Sequence, residues 1–414
     1  MIKKLLVIMI VLVTGITSAQ QSTSSPYSFF GIGSLNFKGT VENRMMGGIS
    51  MYSDSIHTNL QNPSGLSYLN LVNFTVGGNH NRTAQKNAFE SAESSSTSIN
   101  YLSFAVPVGK KMGLAFGLLP LTSVGYLLES QSGDLLFTNR GSGGLNKVFI
   151  SGGYQVSSNF SLGLDVSYNF GNIENTTILS QENVEFGTRE TNRSDLSGLN
   201  FNFGATYKRM VSESLELISA VSYAPEANLN SENFRQFASV FILNESINVD
   251  VDVLDVEVEN TKLTFPSELT IGLGIGKPRQ WFAGFEYTNQ KTSNFTNRSF
   301  TLENVEFKDA SRYKLGGFYV PNYNTSSNYW KRATYRAGTR YEETGLIING
   351  EAINEFGISF GVGLPVGRLF SNVNIGFEVG QRGTTNSGLV KENFFNTFIS
   401  LSLNDRWFIK TFYD

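Results

Sequence analysis

Beyond residue 70 the chain alternates. Phe160, Leu162, Leu164, Val166, Tyr168 and Phe170 are apolar, while Ser161, Gly163, Asp165, Ser167 and Asn169 between them are small or polar. Strict period two puts the two sets on opposite faces of a strand. The pattern returns at Met112, Leu114, Phe116 and Leu118, at Leu199, Phe201 and Phe203, and at Leu269, Ile271, Leu273 and Ile275. It returns again at Phe356, Ile358, Phe360 and Val362, at Val373, Ile375, Phe377 and Val379, and at Ile399, Leu401 and Leu403. A soluble sandwich alternates too, so the opposite face decides. That face carries Gly113, Gly117, Gly163, Gly204, Gly272, Gly274, Gly357, Gly361, Gly363, Gly376 and Gly380, with Asp165, Glu268, Glu286, Glu355 and Glu378 among them. In a membrane barrel the apolar face meets lipid and the small or charged face lines the lumen. Tyr168, Tyr207, Tyr223, Trp281, Tyr287 and Tyr341 stand at strand ends, as an interfacial aromatic girdle requires.

The chain therefore reads as an all-β, transmembrane antiparallel β-barrel of about fourteen strands. They run from 71–79 to 393–403, with an N-terminal plug segment in the lumen. Short turns such as Gly109-Lys110-Lys111 alternate with long connections at 80–96, 122–145, 172–195, 225–265, 291–310 and 382–392. The long set is rich in Asn, Ser, Thr and Glu and is assigned to the cell exterior.

Four parts follow: an export signal at 1–19, an arm and lumen plug at 20–70, the barrel at 71–403, and a tail or terminal strand at 404–414. Lys3 and Lys4 precede an apolar run from Leu5 to Val13, and Thr17-Ser18-Ala19 supplies small residues for cleavage. The run falls short of the roughly 20 apolar residues of a membrane helix. Maturation would leave a protein destined for the outer membrane of a Gram-negative cell.

Composition narrows the chemistry. A formal charge of −3 gives no basic excess for nucleic acid. There is no Cys, and two histidines, His57 and His80, are too few for a His-built metal site. No nucleophile, histidine and acid stand in a catalytic pattern. The expectation is a non-enzyme with no cofactor and no metal. The acids Asp250, Asp252, Asp255, Glu257 and Glu259 lack the glycine turn and spacing of an EF-hand and read as a solvated hairpin.

The residues singled out are few. Tyr27, Phe29 and Phe30 hold the arm to the wall or help line a greasy pocket, and packing alone explains them. Gly47 and Gly48 mark a turn. Asn62, Pro63 and Gly65 turn the plug into the first strand, with Pro fixing φ and Gly allowing φ > 0. Arg332, Arg336 and Arg340 recur every fourth residue, about 13 Å apart on a strand. They attract a carboxylate head group, or they pair with lumen acids such as Glu268 and Glu286 or with Glu42 and Asp54. Pairing is favoured, because an unpaired charge in a narrow lumen is costly.

Met46-Gly47-Gly48, then Asp54, then Asn62-Pro63-Ser64-Gly65 resemble, in that order, the start of the FadL-like (OMPP1/FadL/TodX) outer-membrane transport proteins, with Ser64 where Ala is usual. Ser25-Pro26-Tyr27-Ser28-Phe29-Phe30-Gly31-Ile32-Gly33 is similar to the Bacteroidetes branch. Pro266, a Gly-rich strand and a strand led by Trp281 match a later segment. The Tyr413-Asp414 end departs from the terminal aromatic of many barrels. The resemblance implies a channel for uptake of hydrophobic small molecules such as fatty acids, gated by the plug, with the lipid bilayer and a hydrophobic ligand as partners. It carries over no pocket residue. The alternative is a non-transporting barrel subunit or scaffold of a multi-protein envelope complex, for assembly or secretion. A continuous greasy path marks the first; a sealed lumen with a docking surface marks the second.

Overall fold

The computed structural model describes residues 23–244, 247–295, 304–324, 328–367 and 371–407. The expected export signal and residues 408–414 of the expected tail lie outside them. What is described closes into a ring of 14 antiparallel strands. In chain order they are β1 (Val72–Lys86), β2 (Ser91–Val108), β3 (Met112–Pro120, resuming as Thr122–Ser132), β4 (Leu135–Gln155), β5 (Phe160–Gln181), β6 (Phe186–Met210) and β7 (Glu216–Ala224, resuming as Ala227–Asn244). There follow β8 (Ile247–Val256, Thr261–Phe265 and Glu268–Lys277), β9 (Trp281–Gln290), β10 (Ala310–Tyr319), β11 (Thr334–Ile348), β12 (Glu351–Pro365), β13 (Asn372–Arg382) and β14 (Lys391–Asp405). Pro225 and Pro266 fall in the breaks of β7 and β8, where a residue without an N–H leaves the ladder. β14 pairs with β1 from Val72↔Asp405 to Lys86↔Lys391, which closes the ring.

The faces divide as the alternation demands. Leu114, Phe116, Leu162, Ile271, Leu273 and Phe285 are exposed on the outside, while Asp165, Glu286, Glu355 and Glu378 are buried inside. Two rows of aromatics cross the outer wall in register. Trp281 lies beside Tyr319 and Tyr319 beside Tyr335; farther along the same strands, Tyr287 lies beside Tyr313 and Tyr313 beside Tyr341. The rows stand about 20 Å apart along the strand. That spacing suits the apolar band of an outer-membrane barrel with a girdle at each interface.

The expected long loops are a correction. Most of 80–96, 122–145, 172–195 and 225–265 is strand: β5 passes Tyr168 and continues, paired, to Gln181, about 40 Å beyond. The reason is physical. Past the girdle there is no lipid, so no apolar row is needed and alternation stops. Hydrogen bonding between strands already in register carries on. The result is a tall wall of hairpins built from β3 to β8.

Candidate functional site

Residues 24–71 lie against inward-facing residues of the strands. The segment enters at the long-hairpin end with a 3-10 turn, Pro26–Phe29. A short helix, Val41–Arg44, follows; Thr40 caps it by accepting from the Asn43 N–H. Gly47 and Gly48 then reverse the chain at φ +68° and +84°, where side chains are strained. A Cβ on Gly47 would also meet the Thr339 carbonyl at 2.7 Å. A second 3-10 turn, Pro63–Tyr68, is capped by Asn62 and leads through Leu71 into β1.

Small wall residues explain the fit. A Cβ on Gly163 would lie 2.2 Å from the Ser64 nitrogen, one on Gly338 2.2 Å from the Gly47 nitrogen, and one on Gly361 1.9 Å from the Met45 sulfur. These three glycines are thus seats of the segment, while others, such as Gly117 and Gly357, make room for side chains of the wall itself.

The residues singled out in the sequence separate into groups. The Tyr27 hydroxyl donates to the Val390 carbonyl (2.5 Å). Phe29 packs edge-on to Tyr126 at 5.4 Å, and Phe30 packs with Leu346, Ile348 and Ile353. Asn62 Oδ1 accepts from the Ser64 N–H and hydroxyl, and the Ser64 hydroxyl meets Thr206 on β6 (2.6 Å). Gly65 is a correction. Its φ is not positive; it is glycine because a Cβ would lie 2.2 Å from the Ser53 hydroxyl. Arg332 is another. It ends a short helix, Tyr329–Arg332, ahead of β11 and stacks over the Tyr329 ring (5.5 Å), so it does not continue the row. An Asn328 cap takes that turn out of the strand, which period counting does not detect.

Arg336 and Arg340 do face the lumen, and both are buried. Arg340 binds Glu355 and, at 2.9 Å, Glu378; Arg336 donates to Asn374 (3.0 Å). Glu268 and Glu286 belong to other cations. Glu268 takes Lys38 (3.2 Å) and Arg312 (3.0 Å), and Glu286 takes Lys314 (2.8 Å).

Lys38 and Arg44, which no sequence pattern marks, tie the segment to the wall. Arg44 meets Glu378 at 2.7 Å. Glu286 accepts from the Ser50 N–H and hydroxyl, both at 2.7 Å, and from the Met51 N–H at 3.2 Å. The Ser25 hydroxyl donates to Glu392 (3.0 Å), and Glu42 accepts from Asn374 (2.7 Å). The alternation could have found Lys314, which shares a face with Gly316 opposite Tyr313 and Leu315. No periodicity marks Lys38 or Arg44, because the segment is irregular.

Between the two ends of the segment lies a cavity of about 320 Å³, lined in part by Lys38, Arg44, Asn79, Asn81, Asn202 and Glu268. Each cation on its wall has an anion, including Lys147 with Asp165 at 2.7 Å. The chamber is charge-balanced, and its walls are also apolar in part, with Phe37, Tyr101, Leu121, Leu346 and Phe398 among them.

One pair in the segment joins an imidazole to a carboxylate. His57 Nδ1 lies 2.7 Å from Asp54, and its Nε2 lies 3.0 Å from the Asn372 amide on β13. Burial works against charge on both groups. Even so, His57 is raised by the Asp54 carboxylate, and Asp54 is lowered to about 2 by the imidazole and by backbone N–H donors. A raised imidazole stabilises the fold fully below its unfolded value, about 6.5, and that share is lost as pH rises through the folded value. The carboxylate's share is present above its unfolded value, about 3.9, and is lost as pH falls toward 2. His57→Asn is expected to remove this pair's share of the decline above about pH 6.5, seen as a smaller fall of the urea midpoint from there upward than in the parent.

A family model described as BamG matches residues 1–414. No curated protein sequence matches. Among solved structures, the Pseudomonas putida toluene transporter TodX is 17% identical, covering 90% of this chain and 99% of its own, with a TM-score of 0.61. The Ralstonia pickettii toluene transporter TbuX is 15% identical, covering 90% and 100%, with a TM-score of 0.59. A Pseudomonas aeruginosa FadL homologue is 11% identical, covering 90% and 98%, with a TM-score of 0.60. At these identities the likeness is one of fold, that of FadL-like outer-membrane barrels.

Proposed function

The chain belongs to the BamG family, and we propose that it acts as a closed barrel subunit of a multi-protein complex in the outer membrane, an assembly or secretion machinery. What supports this reading is the ion pairing that ties the segment to the inner wall. A hydrophobic cargo gains about 0.8 kcal/mol per methylene when it leaves water for an apolar path. Here its path would run past Lys38, Arg44, Glu268 and Arg340, whose charges are already matched. Opening that path would separate Arg44 from Glu378 and Ser50 from Glu286 at once. The tall hairpin wall, which this reading assigns to the cell exterior, offers surface for partners instead.

A second reading, uptake of a hydrophobic compound gated by the segment, has its own support. The fold is that of the toluene transporters named above. An apolar cluster at the long-hairpin end, around Ile32, Tyr126, Phe265 and Phe295, could receive such a ligand.

The experiment is gentle extraction of the tagged protein from its own membranes, with mass spectrometry of what accompanies it. Stoichiometric proteins that survive high salt are the expected result. A lone barrel carrying long-chain lipids or other apolar compounds would overturn the subunit reading and put the second in its place.

A further inference from the structure

We infer that the rim at the short-turn end of the barrel is an anionic-lipid site, which gathers phospholipids of net negative headgroup charge from the leaflet around it. The inference goes beyond the proposed function and holds whether the barrel serves as a subunit or as an uptake channel.

The rim is basic although the chain as a whole carries −3. Lys110 and Lys111 form the β2–β3 turn, Arg209 stands near the end of β6, and Lys277 and Arg279 mark the β8–β9 turn. Lys331 precedes β11 and Arg406 follows β14. All of these are exposed, and none is in an ion pair among the described residues. The acids described at this end are fewer: Glu213, Glu216 and Asp405, with Asp54 of the segment taken up by His57. The opposite end is built otherwise. There Arg193 is held by Asp195 and Lys291 by Asp309, and Glu343 is the next outward residue past the girdle residue Tyr341.

Height and direction select the ligand. Lys277 lies directly across from the girdle residue Trp281 and shares a strand face with Ile275, on the lipid side. Arg209 shares a face with the exposed Tyr207 and stands about 7 Å past it along β6. Both side chains therefore leave the outer wall where the aromatic girdle meets the headgroups, not over the mouth of the barrel. The three tryptophans of the chain stand at this same end. Trp281 is in the girdle row, and Trp330, beside Lys331, and Trp407, beside Arg406, are 61% and 52% exposed. Indole rings favour the membrane interface. Lysine and arginine at that level meet the phosphates of anionic lipids.

The spread around the ring decides between lipid and protein. The cations come from the ends of β2, β6, β8, β11 and β14, all round the circle. An acidic protein docked on one side would meet a few of them, whereas a leaflet meets them all. A second copy would bring cation to cation. Like charges on one rim repel, and a shell of anionic headgroups removes that repulsion.

The test uses the tryptophans as reporters. Because all three are at one end, their fluorescence reads one rim whichever way the barrel inserts into a vesicle. The protein is reconstituted in phosphatidylcholine vesicles that contain, in turn, phosphatidylcholine or phosphatidylglycerol brominated high on the acyl chains. The extent of quenching gives the relative affinity of each lipid for the rim. Phosphatidylglycerol is expected to be preferred by at least about threefold, since one basic residue at an anionic surface contributes up to about fivefold. The preference should vanish in about 1 M salt, where the screening length is about 3 Å. Replacing three exposed cations together, K111Q, R209Q and K277Q, should remove most of the preference, with the mobility shift between unboiled and boiled samples unchanged. K86Q, at an exposed cation of the opposite end, should leave it as it is. Equal quenching by the two lipids, or a preference that survives the triple variant or high salt, would overturn the inference. Equal quenching together with binding of polyglutamate to the protein in detergent, lost in the triple variant, would overturn it in favour of an acidic protein partner.

Discussion

Replacing Glu286 by alanine is expected to lower the unfolding free energy by about 3–5 kcal/mol. Glu286 is 1% exposed and serves the wall and the segment together. It neutralises Lys314 and accepts from Ser50 and Met51. Without it Lys314 is a buried cation with no carboxylate, the costly half of a broken pair. The Ser50 and Met51 donors also lose their acceptor, at about 1–3 kcal/mol for each one left dry. Water from the adjoining cavity offsets part of that, which is why the costs do not simply add. E286Q with K314M separates the two contributions. The amide oxygen keeps the acceptor and the methionine removes the stranded charge, so most of the loss should be recovered. The measurement is the urea midpoint in detergent, paired with the shift in gel mobility between unboiled and boiled samples. A single variant within about 0.5 kcal/mol of the parent would mean that the segment is not held by this carboxylate.

How much of this was legible in the sequence depends on what lay outside each strand. Leu162 to Phe170 faces lipid on one side and the lumen on the other, and both solvents imprint on the pattern. Strand number, faces and girdle therefore follow from alternation. From Thr176 to Gln181 the same strand has no lipid beside it, nothing demands an apolar row, and the sequence looks like a loop. The lumen was legible only by half. Glycine and acid at alternate positions show which face is inward. They do not show that Gly163 is small for the sake of Ser64, or that Glu378 awaits Arg44, since those partners come from an irregular segment far away in the chain. Arg332 failed for the opposite reason. Spacing of four persisted across a boundary where Asn328 had already begun a helical turn.

Replacing Gly338 by valine is expected to unseat the N-terminal segment while leaving the barrel standing. The position is mid-strand on β11, and valine favours extended backbone, so the wall itself gains if anything. The loss falls on the segment. A Cβ would lie 2.2 Å from both the Gly47 nitrogen and the Met46 carbonyl carbon, which are backbone atoms with no rotamer to yield. Overpacking of this kind costs about 1–3 kcal/mol, occasionally more. Here it acts on a turn already committed to left-handed φ at Gly47 and Gly48, so relief must come from movement of the whole turn. Ala337, one residue away on the exposed outer face, is the control, and A337V should change nothing. Two readouts distinguish the states. Trypsin should cut after Lys38 or Arg44 in G338V but not in the parent, and a planar bilayer should show ion steps for G338V alone. The lumen that the segment vacates is lined by Asn, Ser and ion pairs and would fill with water. If G338V stays protected and silent, the wall has room to give at this contact. A lumen able to give there could also open for a cargo, and the gated-uptake reading would gain what the sealed-subunit reading loses.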